Sequence, residues 1–239
     1  MSQLPTAKIV ERTELSNDLW IIKLQTANPF SFKPGQYITI GTNNIERPYS
    51  IVSAPHESLV ELFIELVPDG ELTPLLYEMH EGATVSIRPR AKGLFTFDPN
   101  YSHHLMIGTV TGTVPYISIL RDYFFHNGTG HKFFLLEGAS YQDEFGYGKE
   151  LQAMAREHRN TLVYVPTVSR PNEDRNQGWT GATGRVNLIV EEYIKEMELP
   201  KSNTLIYACG HPGMIEDLKE KLARKDWAFK EERFWKEDA

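Results

Sequence analysis

HLMIGTVTGTVPYISILRDYFF, residues 104–125, holds three local patterns in a row. Residues 104–108 are an apolar run of strand length. Gly108 and Gly112 bracket a short turn. Residues 115–125 then repeat apolar side chains at helical spacing through Ile117, Leu120, Tyr123 and Phe124. Strand, glycine turn and helix in that order begin an α/β unit. Downstream the alternation continues, with strands expected at 133–136, 161–165 and 204–208 and helices at 149–158, 186–197 and 212–225. This pattern predicts a doubly wound parallel sheet with helices on both faces. A last edge strand is expected at 228–234.

Upstream the pattern is different. Short β-branched and aromatic runs at 8–13, 19–26, 36–40, 49–52, 59–67 and 84–87 are separated by Asn28-Pro29, Lys33-Pro34-Gly35, Asp69-Gly70 and Glu81-Gly82. Six short strands at close spacing predict an antiparallel β-barrel or sandwich. One short helix is expected from Thr73, whose hydroxyl suits a cap and whose neighbour Pro74 suits a first turn. The change of pattern falls between Asp98 and Ser102, which divides the chain into 1–100 and 101–239. The stretch from Arg170 to Gly184 is a long polar loop, a common place for function.

Composition narrows the chemistry. The chain has 239 residues and a formal charge of −7, which disfavours nucleic-acid binding. No apolar run approaches the roughly 20 residues of a membrane-spanning helix, so no membrane insertion is expected. The first residues lack the basic and apolar regions of a secretory signal, and a cytoplasmic location is the expectation. Cys209 is the only cysteine, so the chain cannot supply the four ligands of an iron–sulfur cluster. The eight histidines show no metal-ligand spacing, and no metal site is expected.

Several segments carry chemistry. In Arg47-Pro48-Tyr49-Ser50 the guanidinium suits a pyrophosphate, and in a strand Tyr49 projects to the same face. A surface arginine beside a core tyrosine fits these four residues equally well. Arg170 and Arg185 flank the polar loop, as two solvated arginines or as partners of an additional ribose phosphate. Tyr141 suits adenine stacking and ordinary packing alike. Cys209, between an apolar run and Gly210-His211-Pro212, falls at the carboxyl end of a parallel strand. Arg88, Arg90 and Lys92 alternate, so that on a strand they share one face.

In order along the chain, these and other segments resemble the ferredoxin–NADP(+) reductase family, in particular its bacterial branch. They are Arg47 to Ser50 with the following Ile51-Val52-Ser53-Ala54-Pro55; residues 67–74; residues 93–98; residues 115–121; residues 209–214; and Phe234-Trp235. The resemblance implies an FAD-binding barrel followed by an NADP(H)-binding domain. It implies that Arg47 pairs with FAD phosphate, that Tyr49 packs on the isoalloxazine and that Ser50 lies near flavin N5. It also implies FAD contacts from Gly70, Leu72, Thr73, Thr111 and Trp235. For NADP(H) it implies Gly108 and Gly112 at the pyrophosphate, Arg170 and Arg185 at the ribose phosphate, and Cys209 beside the nicotinamide. Tyr49, Ser50 and Cys209 are then the residues closest to the chemistry. The chain departs from the family at Val110, where a third glycine is usual, and at neutral Ser140, where some relatives carry a base.

The resemblance further implies hydride transfer between NADP(H) and FAD, coupled to one-electron exchange with ferredoxin or flavodoxin, by a monomer. The basic cluster Arg88, Arg90 and Lys92 suits an acidic partner of that kind. Two alternatives stand beside this one. The first is a reductase of free flavins or of an oxygenase partner on the same scaffold. The second is a flavin-binding module without turnover.

Overall fold

A computed structural model describes residues 4–233, which form two compact units. One comprises residues up to Phe97 together with Val114–Asn127, and the other comprises Asp98–Thr113 and the residues from Gly128 onward.

The first unit is an antiparallel six-stranded sheet. Its strands are β1 (Thr6–Glu14), β2 (Leu19–Thr26), β3 (Tyr37–Thr42), β4 (Ile45–Ser50), β5 (Val60–Glu65) and β6 (Thr84–Ile87), with the short helix α1 (Thr73–Tyr77) between the last two. The strand order is β4-β3-β6-β1-β2-β5. Just beyond β4, the Val52 amide donates to the Glu61 carbonyl of β5 at 2.9 Å, so the two ends of the sheet approach. Ile9, Trp20, Ile22, Leu24, Ile38, Ile40, Leu62, Ile64 and Val85 alternate inward to make the core.

The hairpin of β3 and β4 corrects the sequence reading, which started this strand at Tyr49. Thr42 pairs with Ile45, so the loop is only Asn43-Asn44. Both asparagines have positive φ, 51° and 64°. That is the geometry of a type I′ turn, which asparagine tolerates better than most residues. The tight turn starts β4 four residues earlier and sets Arg47 opposite Ile40 and Tyr49 opposite Ile38. Pro48 is tolerated because β4 is at the end of the strand order.

Two other expectations change. Thr73 does not cap α1; its hydroxyl accepts from the Val67 amide at 2.9 Å and donates to the Val67 carbonyl at 3.1 Å. It closes the loop before the helix instead. Arg88, Arg90 and Lys92 do not share a strand face, because β6 ends at Ile87; all three are exposed, and Lys92 forms only an isolated bridge to Tyr37. Arg88 is also paired to Glu46 at 2.5 Å.

Helix α2 (Val114–Phe125) packs with this first unit. It is buried from Val114 to Leu120, and the Ser118 hydroxyl donates to the Ser53 carbonyl at 2.8 Å. Arg121 reaches Glu57 and Glu61, each at 3.4 Å.

The second unit is a parallel sheet. Its strands are β7 (His103–Thr109), β8 (Lys132–Ala139), β9 (Leu162–Val168), β10 (Ala182–Thr183), β11 (Thr204–Cys209) and β12 (Ala228–Glu232), with α3 (Gly148–Glu157), α4 (Val186–Glu196) and α5 (Pro212–Lys221) between them. Helix α5 is shorter than the sequence pattern suggested, because a 3-10 turn, Ala223–Lys225, follows it. The order β10-β9-β8-β7-β11-β12 runs outward on both sides of β7. The central strands read as near-continuous apolar runs because both sheet faces are covered. Leu105, Ile107, Leu136, Ile206 and Ala208 pack with Val186 and Val190 of α4 and with Met214, Ile215 and Leu218 of α5.

Arg12 carries an unusual load in the first unit. Its Nη1 donates to the Met79 carbonyl at 2.8 Å and to the Leu76 carbonyl at 3.3 Å, at the end of α1. Its guanidinium also lies 5.3 Å from the ring centres of both Trp20 and Tyr77. Arg12→Ala is expected to lower unfolding free energy by about 2–3 kcal/mol in urea titration, from lost carbonyl bonds and cation–π contact. A loss below about 0.5 kcal/mol contradicts this account.

Candidate functional site

In the first unit the candidate residues gather around β4. Arg47 is exposed, and its Nη2 is paired with the Glu71 carboxylate. Glu71 belongs to the loop that also holds Gly70, Leu72 and Thr73, so the structure brings the two predicted FAD segments together. Within that loop, Leu72 is a buried core side chain, leaving its backbone for any ligand contact. Tyr49 is half-buried and packs against the core. Its hydroxyl pKa is pushed up to about 12, chiefly by burial. At neutral pH the ring is therefore an uncharged phenol.

Ser50 supplies the test of fit for FAD. Its Oγ is buried and has no hydrogen-bond partner among the described residues. An unpaired buried hydroxyl costs about 1–3 kcal/mol, a cost that a ligand with polar ring atoms removes. The residues of β4 fit the cofactor that the resemblance implies: a cation for phosphate, a flat ring, and an unspent hydroxyl.

In the second unit the strand order reverses between β7 and β11, and ligands of open parallel sheets bind at the carboxyl ends of such a switch point. Gly108, next to last in β7, pairs with Cys209, which ends β11. The chain then turns on each side, and the two turns meet. A Cβ on Gly112 would lie 2.5 Å from the Gly210 Cα and 2.6 Å from the Cys209 carbonyl carbon. The His211 amide donates to Thr109 Oγ1 at 2.8 Å, which ties the turns together. Gly112 is thus demanded by backbone packing as well as suited to a dinucleotide. Thr111 is half-buried in the same turn.

Val110, where the resemblance implies a glycine, has a φ of +46°. A β-branched residue is strained there. The strain is held by a 3-10 turn, Val110–Thr113, in which the Thr113 hydroxyl donates to the Val110 carbonyl at 2.7 Å.

Cys209 is fully buried, and burial, then the nearby Glu232, pushes its thiol well above the usual range. It is a thiol at neutral pH and not a nucleophile. Glu232, which the sequence reading missed, pairs with Cys209 across β11 and β12. Burial raises its carboxyl to about 7. Trp235 and Phe234 lie outside the described residues.

The residues expected at the ribose phosphate meet on one rim. Val168 pairs with Thr183, and Arg170 and Arg185 each follow two residues later. Ser140 follows Ala139, which pairs with Val168 on the other side. Arg170 donates to the Tyr141 hydroxyl at 2.8 Å and lies 3.7 Å from Glu173. Arg175 stacks 3.9 Å from the centre of the Tyr141 ring and pairs with Asp143 at 2.8 Å. Arg185 is exposed at the start of α4, without an ion pair among the described residues.

Asn176 organises this rim, and sequence reasoning missed it. It is 2% exposed. Its amide donates to the carbonyls of Ser140 and Arg170, both at 2.9 Å, and its Oδ1 accepts from the Gln142 amide at 2.8 Å. One asparagine in a polar loop gives no local signal that it will be buried.

Comparisons with known proteins find two domains along the chain. Residues 6–96 match the oxidoreductase FAD-binding domain, and residues 106–220 match the oxidoreductase NAD-binding domain. The chain is 28% identical to a flavodoxin/ferredoxin–NADP reductase of Buchnera aphidicola, over 96% of this chain and 98% of that one. It is 29% identical to a ferredoxin–NADP reductase of Pseudomonas aeruginosa, over 93% and 90%. Its fold resembles the crystal structure of a ferredoxin NADP+ reductase from Neisseria gonorrhoeae with bound FAD and NADP. The TM-score is 0.83 and the identity 22%, over 98% of this chain and all of that one. The chain thus carries an oxidoreductase FAD-binding domain followed by an oxidoreductase NAD-binding domain, and along nearly its whole length it is similar to ferredoxin–NADP(+) reductases.

Proposed function

We propose that this protein is an FAD-dependent reductase that exchanges hydride with NADP(H) and single electrons with ferredoxin or flavodoxin, acting as a cytoplasmic monomer. The observation that carries the reading is the coexistence on one chain of the Arg47–Ser50 strand, in an FAD-binding domain, and the Arg170/Arg185 rim, in an NAD(P)-binding domain. Likeness to reductases of both acceptors supports the choice of partner. Among the described residues no helix is long and apolar enough to cross a membrane.

FAD, when bound, supplies the conversion between two-electron and one-electron chemistry. The protein's own residues bind and orient. Arg47 takes the FAD phosphate in place of Glu71. Tyr49 offers a neutral ring to the flavin, and Ser50 its hydroxyl. Gly70, Leu72 and Thr73 serve the pyrophosphate through the backbone. The turn from Gly108 to Thr113 receives the pyrophosphate of NADP(H), and Cys209 shapes the nicotinamide pocket as a neutral thiol. Arg185 and Arg170 bind the ribose phosphate, and Tyr141 stands beside them.

The direct test is to mix the purified flavoprotein with NADPH, follow bleaching of the flavin, and then add ferredoxin, flavodoxin and other one-electron acceptors in turn. Bleaching followed by reoxidation by ferredoxin or flavodoxin is expected. Absence of bleaching sinks the proposal.

Arg47→Ala is expected to weaken FAD at least about tenfold, because a charged hydrogen bond to phosphate contributes roughly 1.5–3 kcal/mol. Flavin lost on gel filtration is the readout. Replacing Arg170 and Arg185 together by Ala is expected to raise KM for NADPH by about tenfold or more, with KM for NADH nearly unchanged. Equal loss with both nucleotides removes the specificity assignment. Asn176→Ala leaves two loop carbonyls short of a donor. It is expected to weaken NADPH by about five- to tenfold while FAD content stays constant.

A further inference from the structure

Glu137 lies in the middle of the parallel sheet, 1% exposed, and has no part in the chemistry described so far. Its register partners are Gly108 on β7 and Pro166 on β9, so it sits beside the end of the strand that leads into the dinucleotide turn. Neither partner offers it a charge. Two side chains meet it. The Tyr164 hydroxyl, from β9, donates to Oε2 at 2.5 Å. Thr113 Oγ1, from the turn, lies 3.3 Å from Oε1.

Thr113 has one hydroxyl proton and two acceptors. The Val110 carbonyl is at 2.7 Å and Glu137 Oε1 at 3.3 Å. With the proton on the nearer acceptor, Thr113 presents a lone pair to Glu137. That contact is favourable only when Glu137 carries its own proton and donates it. The buried chain then runs without conflict from Glu137 through Thr113 to the carbonyl of the left-handed Val110. An ionised Glu137 instead draws the threonine proton away from Val110, and it leaves a buried negative charge near the phosphate turn.

We propose that Glu137 is a positioning residue for dinucleotide binding: through Thr113 it holds the Val110 carbonyl, and so sets the shape of the turn that receives the pyrophosphate. This device stabilises a turn in which valine replaces glycine. The inference rests on the proposed function of that turn. Burial, offset in part by the bonds from Tyr164 and Thr113, raises the carboxyl to about 7. The hydroxyl of Tyr164 is itself pushed far up, first by burial and then by Glu137, and stays neutral. Tyr164 also lines a groove with Arg156 of α3 and Arg159 just beyond that helix. Because the pKa is raised, the protonated, binding-competent form fills below about 7 and is lost as pH rises through that value.

The test is calorimetric NADP+ affinity of the FAD-loaded full chain from pH 5.5 to 8.5, for wild type, Glu137→Gln and Thr113→Val. Glutamine copies the protonated acid: its amide donates to Thr113 and its carbonyl oxygen accepts from Tyr164. The phosphate of NADP+ itself titrates near 6, so the wild-type profile is read against that of Glu137→Gln. Wild type is expected to lose about five- to tenfold more affinity than Glu137→Gln between pH 6 and pH 8, the scale of one hydrogen bond. The two should match at pH 6. Thr113→Val should bind more weakly than wild type at pH 6 by a similar factor. Superimposable profiles for wild type and Glu137→Gln, or full affinity in Thr113→Val, overturn the inference and leave the proposed function standing. No NADP+ binding by wild type at any pH overturns both.

Discussion

Where β7 and β11 end, backbone packs directly on backbone. Gly112 approaches Gly210 so closely that neither position has room for a side chain: the missing Cβ of Gly210, at φ +122°, would lie 2.9 Å from the Thr109 amide nitrogen. The hydrogen bond from His211 to Thr109 fixes the same junction. Much else in the second unit follows. Cys209 is shut away from water, the Gly108–Thr113 turn has a defined floor, and the backbone groups of both turns lie at the switch point of the sheet. Tertiary contact here sets the conformation of individual residues, including one that valine adopts only under strain.

The rim beside that junction is a balance of charge and not a simple basic patch. Arg170 and Arg175 converge on Tyr141, but Asp143 and Glu173 hold them. Arg185 alone faces solvent without an acidic partner among the described residues. On the proposed function, a phosphate at this rim would exchange carboxylate partners for its own oxygens, so the net gain would be smaller than two free guanidinium groups suggest. Asn176 makes the exchange possible without collapse, because it holds the loop backbones whichever anion the arginines face.

In the first unit the comparable constraint is a hairpin. Two asparagines with positive φ turn β3 into β4, and the register that results places the Arg47 and Tyr49 side chains on one face. Glu71 brings the adjoining loop to Arg47. Sequence reading recognised the Arg47–Ser50 segment by its residue types but began its strand too late. The Asn43-Asn44 signal was present and local, and turn chemistry is where it was legible. Thr73 went the other way: its residue type suits a cap, yet a nearer pair of backbone groups at Val67 takes its hydroxyl.

The chain order alone was enough for the architecture. Period-two runs followed by an apolar strand, a glycine turn and a helix can bury their apolar faces in few ways, so an antiparallel sheet followed by a parallel one was readable from residue spacing. The segments carrying Arg47, Gly108, Gly112, Arg170, Arg185 and Cys209 stand out in the chain as candidates, since short motifs keep their spacing. What only the folded chain decided was which groups are buried and against what. Asn176, Glu137 and Glu232 carry no local mark, because polar residues in loops and strands are usually solvated. Burial, and with it a carboxyl shifted to about 7 or an asparagine bonded to three backbone groups, arises when segments distant in sequence close around one side chain and remove its water.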